Sequence, residues 1–390
     1  IVMNLNNTNN KPKRAMLDVI KDSKTNKNNP LNKKIADINQ WLKDHKKITL
    51  IGLSIFILLI LVASFFLMSK SNNDPGKIIE GKYTKKVVEK KPKEYFSQLS
   101  GLKLPDEAAT KKHIVCSIIE NSIDARPQSG LKKAGMVFEA QAEGGITRFL
   151  SIWQNEEPRL IGPIRSVRQY YIDWATGYNC GLAHVGGSPD GLEMIRSGKY
   201  AVDLDQFFNS GFFWRSNDRY APHNVYSDLG KLTELSKNKG VKEPNIKPLT
   251  RTDSTQILNT DVKVTKFSTN VSFGAYNSEF TYNPETRTYL RTQNGVPHND
   301  REEGQIAPSA VLVISADTRY QSDGHHLNID TLSSGKGAWL FQNGIVLNVK
   351  WKRNNVKDAL EIIDDSGKPV QVVRGQLWVT AIASDRVPTW

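Results

Sequence analysis

Residues 181–195 read "GLAHVGGSPDGLEMI", an apolar run ending in His184, a glycine turn, and an amphipathic segment opened by Pro189. Proline suits the first helical position and serine the position before it, so the stretch predicts a strand, a tight turn and a helix, with Ser188 as helix N-cap. Such a turn also points backbone N–H groups outward, and Gly186, Gly187 and Ser188 are therefore candidates for one wall of an anion-binding pocket. A serine nucleophile fits less well. The elbow pattern Gly-x-Ser-x-Gly is displaced here, and Pro189 lacks the N–H that would stabilise an oxyanion.

Working outward, "HIVCSIIENS", "GMVFEAQ" and "TRFLSIWQ" read as strands, and "VRQYYIDWATGYN" has helical spacing at Val167, Tyr170, Tyr171 and Trp174. Strands alternating with helices predict a mixed α/β domain over residues 97–239. Residues 240–260 carry prolines and no periodicity, and read as an interdomain connection. Beyond them, over 261–390, hairpin signals recur around Asn283-Pro284, Asn343-Gly344 and Ser366-Gly367. This half is predicted to be mostly β and to close as a small barrel or sandwich, so the overall class is α+β.

The net charge of +13 is concentrated at one end. Residues up to Lys47 carry about +7, residues 70–94 about +4, and the remainder about +2. The folded region therefore lacks the basic excess of a nucleic-acid surface, and no nucleic-acid partner is expected.

Ile48 to Met68 contains no charged residue and is about 21 residues long, enough to cross roughly 30 Å of hydrocarbon as a helix. Its distance from the N-terminus argues against a cleaved signal. Lys43, Lys46 and Lys47 precede it and Lys70 alone follows closely, which places the N-terminus in the cytoplasm and residues 97–390 outside. The Asn- and Lys-rich residues 1–29 read as a disordered tail, and 69–96 as a basic linker. Residues 30–47 space Ile35, Ile38, Trp41 and Leu42 along one helical face, either as a helix on the inner leaflet or as an extension of the span. Cys116 and Cys180 can pair in an oxidising compartment or remain buried thiols.

Charged residues also sit in apolar, glycine-rich stretches: Glu143 and Arg148 in "EGGITRF", Arg165 and Arg168 in "GPIRSVRQYY", Arg215, Arg219 and His223 in "WRSNDRYAPHN", and His298 and Asp300 in "VPHND". Burying such groups unpaired is costly, so they form structural ion pairs or face a wet pocket. Arginine suits bidentate capture of carboxylate or phosphate. No ligand spacing among the histidines supports a metal, and no cofactor motif is present.

These stretches, together with "NSIDARPQSGLKKAGMVFEAQ", "AHVGGSPDG", "RYAPHNVY", "YLRTQNGVPHND" and the closing "GQLWVTAI", resemble the YerB-like family of bacterial envelope proteins, domain of unknown function 3048 with its C-terminal β domain. The resemblance runs from Asn121 to Ile382 and implies two extracytoplasmic domains. It brings forward Arg126, Glu143, Arg148, Arg165, Arg168, His184, Ser188, His223, His298 and Asp300 as site candidates without assigning roles. Family members are typically lipoproteins, whereas Phe65 stands here where a lipobox needs cysteine.

Three functional readings follow. An envelope binding module would hold an anionic or sugar-containing wall component in an Arg/His/Gly-rich cleft. A scaffold would recruit envelope proteins. A wall hydrolase or transferase would use Glu143 as acid/base with His184 or His223.

Overall fold

The computed structural model describes residues 30–46, 58–59, 61, 93–253 and 262–390. Apart from Leu58, Leu59 and Leu61, the expected span lies outside the described residues, as do the tail, most of the basic linker and residues 254–261. Among the described residues, no helix is long and apolar enough to cross a membrane. Helix α1 (Pro30–Asp44) belongs to a unit of its own and exposes Ile35, Ile38 and Trp41.

From Lys90 onward the chain is one unit organised on a ten-stranded sheet. In chain order its strands are β1 (Val115–Glu120), β2 (Met136–Gln141), β3 (Thr147–Trp153), β4 (Gly181–His184), β5 (Val202–Asp205), β6 (Ala310–Ala316), β7 (Ser333–Gln342), β8 (Ile345–Arg353), β9 (Glu361–Ile363) and β10 (Leu377–Ala383). Their order across the sheet is β9-β8-β7-β6-β10-β2-β3-β1-β4-β5. The strands of the C-terminal half therefore do not close as a separate barrel or sandwich. They extend the N-terminal sheet through the parallel pair β10 and β2, with Trp378 opposite Val137. The apolar runs of β2, β6 and β10 suit this position, because a central strand is buried on both faces.

Both faces are covered. On one face, α2 (Gln169–Thr176) packs Tyr170, Tyr171 and Trp174 against Cys116, Ile118, Phe138 and Leu150, with the Trp174 and Phe138 rings 5.2 Å apart. Helix α3 (Pro189–Arg196) connects β4 to its parallel neighbour β5. On the other face, α4 (Leu229–Asn238) contributes Leu232 and Leu235 to a second core. That core also receives Phe267, Phe280 and Tyr289 from a four-stranded antiparallel sheet. Its hairpin Ser278–Asn283 and Thr288–Gln293 lies at the predicted place. So does the β7–β8 hairpin, whose Asn343 and Gly344 both adopt positive φ, as a two-residue turn requires. The third signal is a short hairpin as well, closed around Ser366-Gly367 by the antiparallel Ile363↔Pro369 bridge and the Val370 N–H to Ile362 O bond; beyond it Val372 and Val373 pair in parallel with Arg251 and Thr252.

Cys116 on β1 and Cys180 at the start of β4 form a disulfide, with their Cα atoms 5.8 Å apart. It ties two neighbouring parallel strands whose carboxyl ends carry Glu120 and His184. Ligands of open α/β sheets gather at that edge, where the chain leaves parallel strands for loops and helices.

Candidate functional site at the carboxyl edge of the sheet

The segment Ile164–Arg168 runs along this edge and is held there by its backbone. The Arg165 amide donates to the Ile118 carbonyl, Val167 N–H to Gly186 O, and the amides of Val185 and Ser188 donate back to the carbonyls of Arg165 and Val167. Its arginines are thereby delivered to two carboxylates.

Glu120 ends β1 and receives Arg165 Nε at 3.0 Å and His223 Nδ1 at 2.9 Å. Ser122 Oγ meets the same His223 nitrogen at 3.1 Å. A serine–histidine–carboxylate relay needs hydroxyl and carboxylate on opposite ring nitrogens, so this arrangement orients His223 without building that relay. Glu143, in the turn after β2, binds Arg168 through both oxygens and Arg148 at 3.3 Å. Arg148 also donates to the Ser166 carbonyl. The two clusters adjoin, since Glu120 and Arg148 are directly paired across β1 and β3 and project from the same face. His326, from the hairpin of Thr318–Tyr320 and Leu327–Ile329, approaches Glu143 at 4.0 Å while bonded to Asp323 at 2.6 Å.

Burial pushes the Glu143 carboxyl up, but the Arg168 hydrogen bond and the charges of Arg148 and Arg168 outweigh it and hold the group down to about 2. Arg148 is shifted below the usual guanidinium range by burial and by Arg168 beside it. Glu143 is consequently a permanent acceptor at neutral pH, poorly suited to donating a proton.

The turn of residues 184–188 lies next to this cluster, and its polar groups are committed. Ser188 caps α3 by accepting from Gly191 N at 3.3 Å. Gly186 N donates to Asp205, and Gly187 lies against Val167 in a bridge that leaves no room for a side chain. His184 is buried, with Nδ1 2.9 Å from Gly186 O and Nε2 3.0 Å from Asp203. Donor atoms of His184, Asp203 and Asp205 lie within 4.8 Å of one another. This donor set is chemically capable of holding a metal. Here both imidazole nitrogens, Gly186 N, Phe207 N and Arg196 use those atoms to fix the turn instead.

Arg126, His298 and Asp300 belong elsewhere. His298 lies in a buried network on the opposite face of the sheet, where Arg291 donates to its Nδ1 and its Nε2 meets Gln128 Oε1 at 2.7 Å. Burial and the charges of Arg291 and Arg126 push its pKa well below the usual value. The network centres on Glu139, which receives Arg291 at 2.8 Å, the Trp378 indole at 2.9 Å and the Thr147 hydroxyl at 3.1 Å. Arg126 reaches it through Asn121 and is lowered to about 10 by burial and Arg291. Asp300 is buried and accepts the backbone amides of Glu302 and Glu303 in its own loop and of Lys132, which ties that loop to the segment before β2.

Residues 99–242 match the family described as protein of unknown function (DUF3048) N-terminal domain, and residues 268–379 its C-terminal domain. The "Putative lipoprotein YerB" of Bacillus subtilis (strain 168) is 33% identical over 307 residues, covering 76% of this chain and 89% of that protein. The chain belongs to the DUF3048 family. The crystal structure of YerB protein from Bacillus subtilis is similar to this fold, with a TM-score of 0.65 and 31% identity over 74% of this chain and 96% of that one.

Within this DUF3048 fold, sequence reasoning overlooked Glu120, Glu139 and Arg291. Glu120 and Glu139 were visible as charges inside otherwise apolar strand runs, which are costly to bury without a partner. Arg291 carried no such signal, because it stands among mixed polar and apolar residues on an ordinary hairpin strand.

Proposed function

We propose that this protein is a membrane-tethered envelope protein whose folded part lies outside the cell and binds an anionic envelope component at the carboxyl edge of the sheet. The lipoprotein description of its relative supports attachment at the membrane. The apolar run Ile48–Met68, with lysines on its N-terminal flank, supports a spanning anchor in place of a lipid. The Cys116–Cys180 bridge fits an oxidising compartment.

One observation carries the binding reading: among the described residues, Arg148, Arg165 and Arg168 are paired with two carboxylates, Glu120 and Glu143. The largely buried cluster keeps a surplus positive charge, and Arg165 is its most exposed guanidinium, at 24%. Such a charge is stabilised by an incoming anion. The catalytic alternative is weakened by the low pKa of Glu143 and by the full hydrogen bonding of His184.

Co-sedimentation of the full-length chain, in detergent micelles, with purified insoluble bacterial cell wall tests the reading. Arg165→Ala is expected to lower binding by about tenfold, as loss of one charge-assisted contact implies. Unchanged sedimentation would remove the site from consideration. Protease added to intact cells should digest residues 97–390, and full protection would reverse the topology.

A further inference from the structure

The rim of this edge narrows the ligand class, on the premise that the edge binds an anion as proposed above. Two large aromatic side chains lie beside the arginine cluster and remain open to solvent. Phe273 packs against Gly145, two residues after Glu143, so closely that a Cβ there would lie 2.6 Å from its ring. Phe207 packs against Gly186, whose carbonyl accepts from Val167 between the two cluster arginines Arg165 and Arg168. Both glycines have positive φ, so neither position readily takes a side chain that would lift the ring away. Phe273 is 63% exposed and Phe207 66% exposed. Each ring is thus backed by bare backbone and presents its remaining surface to water.

Exposed phenyl rings beside a half-buried charge are costly in water and useful to a ligand with both an apolar face and an acidic group. A pyranose ring has such a face in its axial C–H bonds, and these pack on the electron-rich face of an aromatic ring. The cluster has three guanidinium groups against two carboxylates, a surplus of one charge. Arg165 contacts Glu120 through Nε, and among the described residues its terminal nitrogens make no hydrogen bond, so the fork is available to a further acceptor.

We infer that the ligand is a singly anionic saccharide, with its acidic group taken by the Arg165 fork and its sugar ring stacked on Phe207 or Phe273. A sugar carboxylate and a sugar phosphodiester share this chemistry, and the experiment separates them.

Titration calorimetry of the full-length chain in detergent micelles would compare five probes: a peptide-free disaccharide containing N-acetylmuramic acid, its carboxyl-reduced form, a glucosyl phosphodiester, D-lactate and a short peptide with a free C-terminal carboxylate. At least one acidic sugar should bind about tenfold or more tightly than the reduced disaccharide, D-lactate and the peptide. Whichever acidic sugar binds identifies the acidic group. Phe207→Leu and Phe273→Leu keep apolar bulk but remove the ring, and at least one should weaken sugar binding by about three- to tenfold with D-lactate affinity unchanged. Equal binding of the reduced disaccharide, tightest binding by the peptide, or indifference of sugar affinity to both phenylalanine variants would overturn the saccharide assignment and leave the anion site standing. Failure of all anionic probes to bind would overturn both.

Discussion

Glu139 and Glu143 lie four residues apart, on β2 and in the turn that follows it, and both hold arginines; their surroundings make them different groups. Glu139 and Arg291 are fully buried. Both Glu139 oxygens are engaged, and the Arg291 guanidinium lies over the Trp378 ring at 4.8 Å. Glu143 and its arginines keep 9–14% of their side-chain surface in water and end where the fold opens. A closed charge network fixes how the four-stranded sheet and the central sheet meet. A network of the same residue types that solvent reaches is instead open to a partner. What separates them is solvent access, not residue type or charge count, since Arg126 and Arg291 also outnumber Glu139.

The largest effect should come from opening the closed network. Glu139→Ala leaves Arg291 buried without a counter-charge and removes the acceptor for Trp378 and Thr147, so it should cost about 3–5 kcal/mol in urea denaturation. Replacing both partners, as Glu139→Leu with Arg291→Met, should recover most of that loss. A cost under about 1 kcal/mol for the single variant would erase the distinction between the two networks.

His298 offers a second way in. Its folded pKa is depressed, so the unfolded chain takes up the proton first, and stability should fall as pH drops below about 6.5. The slope approaches about 1.4 kcal/mol per pH unit for one proton. In His298→Gln this component should vanish. An unchanged slope would mean that His298 does not govern the acid response.

Glu143 should respond more weakly and at lower pH. Its folded pKa lies below the ordinary value of 4.5, so its stabilisation is present above about pH 4.5 and is lost as pH falls towards 2. Because solvent reaches the cluster, Glu143→Gln should cost only about 1–2 kcal/mol at pH 7 and flatten the stability profile in that acid window. A loss as large as that of Glu139→Ala would show that the site is as closed as the core network.

These contrasts also mark what was legible in the sequence. Local signals were: the Asn343-Gly344 turn and the helices over "QYYIDWAT" and "PDGLEMIR" follow from positive-φ residues, caps and 3.6-residue spacing within about ten positions. Strand partnership was not. Nothing in "QLWVTAIA" states that it pairs with residues 136–139, some 240 positions earlier, since an apolar run records burial on two faces and not its neighbour. The site was half legible for the same reason. Glu143, Arg148, Arg165 and Arg168 stood out as charges in apolar surroundings and do converge, whereas His298 and Arg126 gave an equal signal and lie in the closed network. Charge in an apolar stretch reports a partner, but only the fold decides whether that partner is protein or ligand.

The smallest expected effect tests the strand-to-helix turn of residues 184–188. Ser188→Ala removes the side-chain oxygen that accepts from Gly191 N and should cost about 1 kcal/mol, the usual value of an N-cap. Ser188→Asp should restore that loss, because a carboxylate caps equally well and opposes the helix dipole favourably. The pair also separates capping from anion binding. Asp at this position would repel an anion drawn to the neighbouring arginines, so it should keep full stability while weakening wall binding. If Ser188→Asp loses neither stability nor binding, the turn is a connector alone, and the anion site is confined to the segment from Arg165 to Arg168 and the two carboxylates it grips.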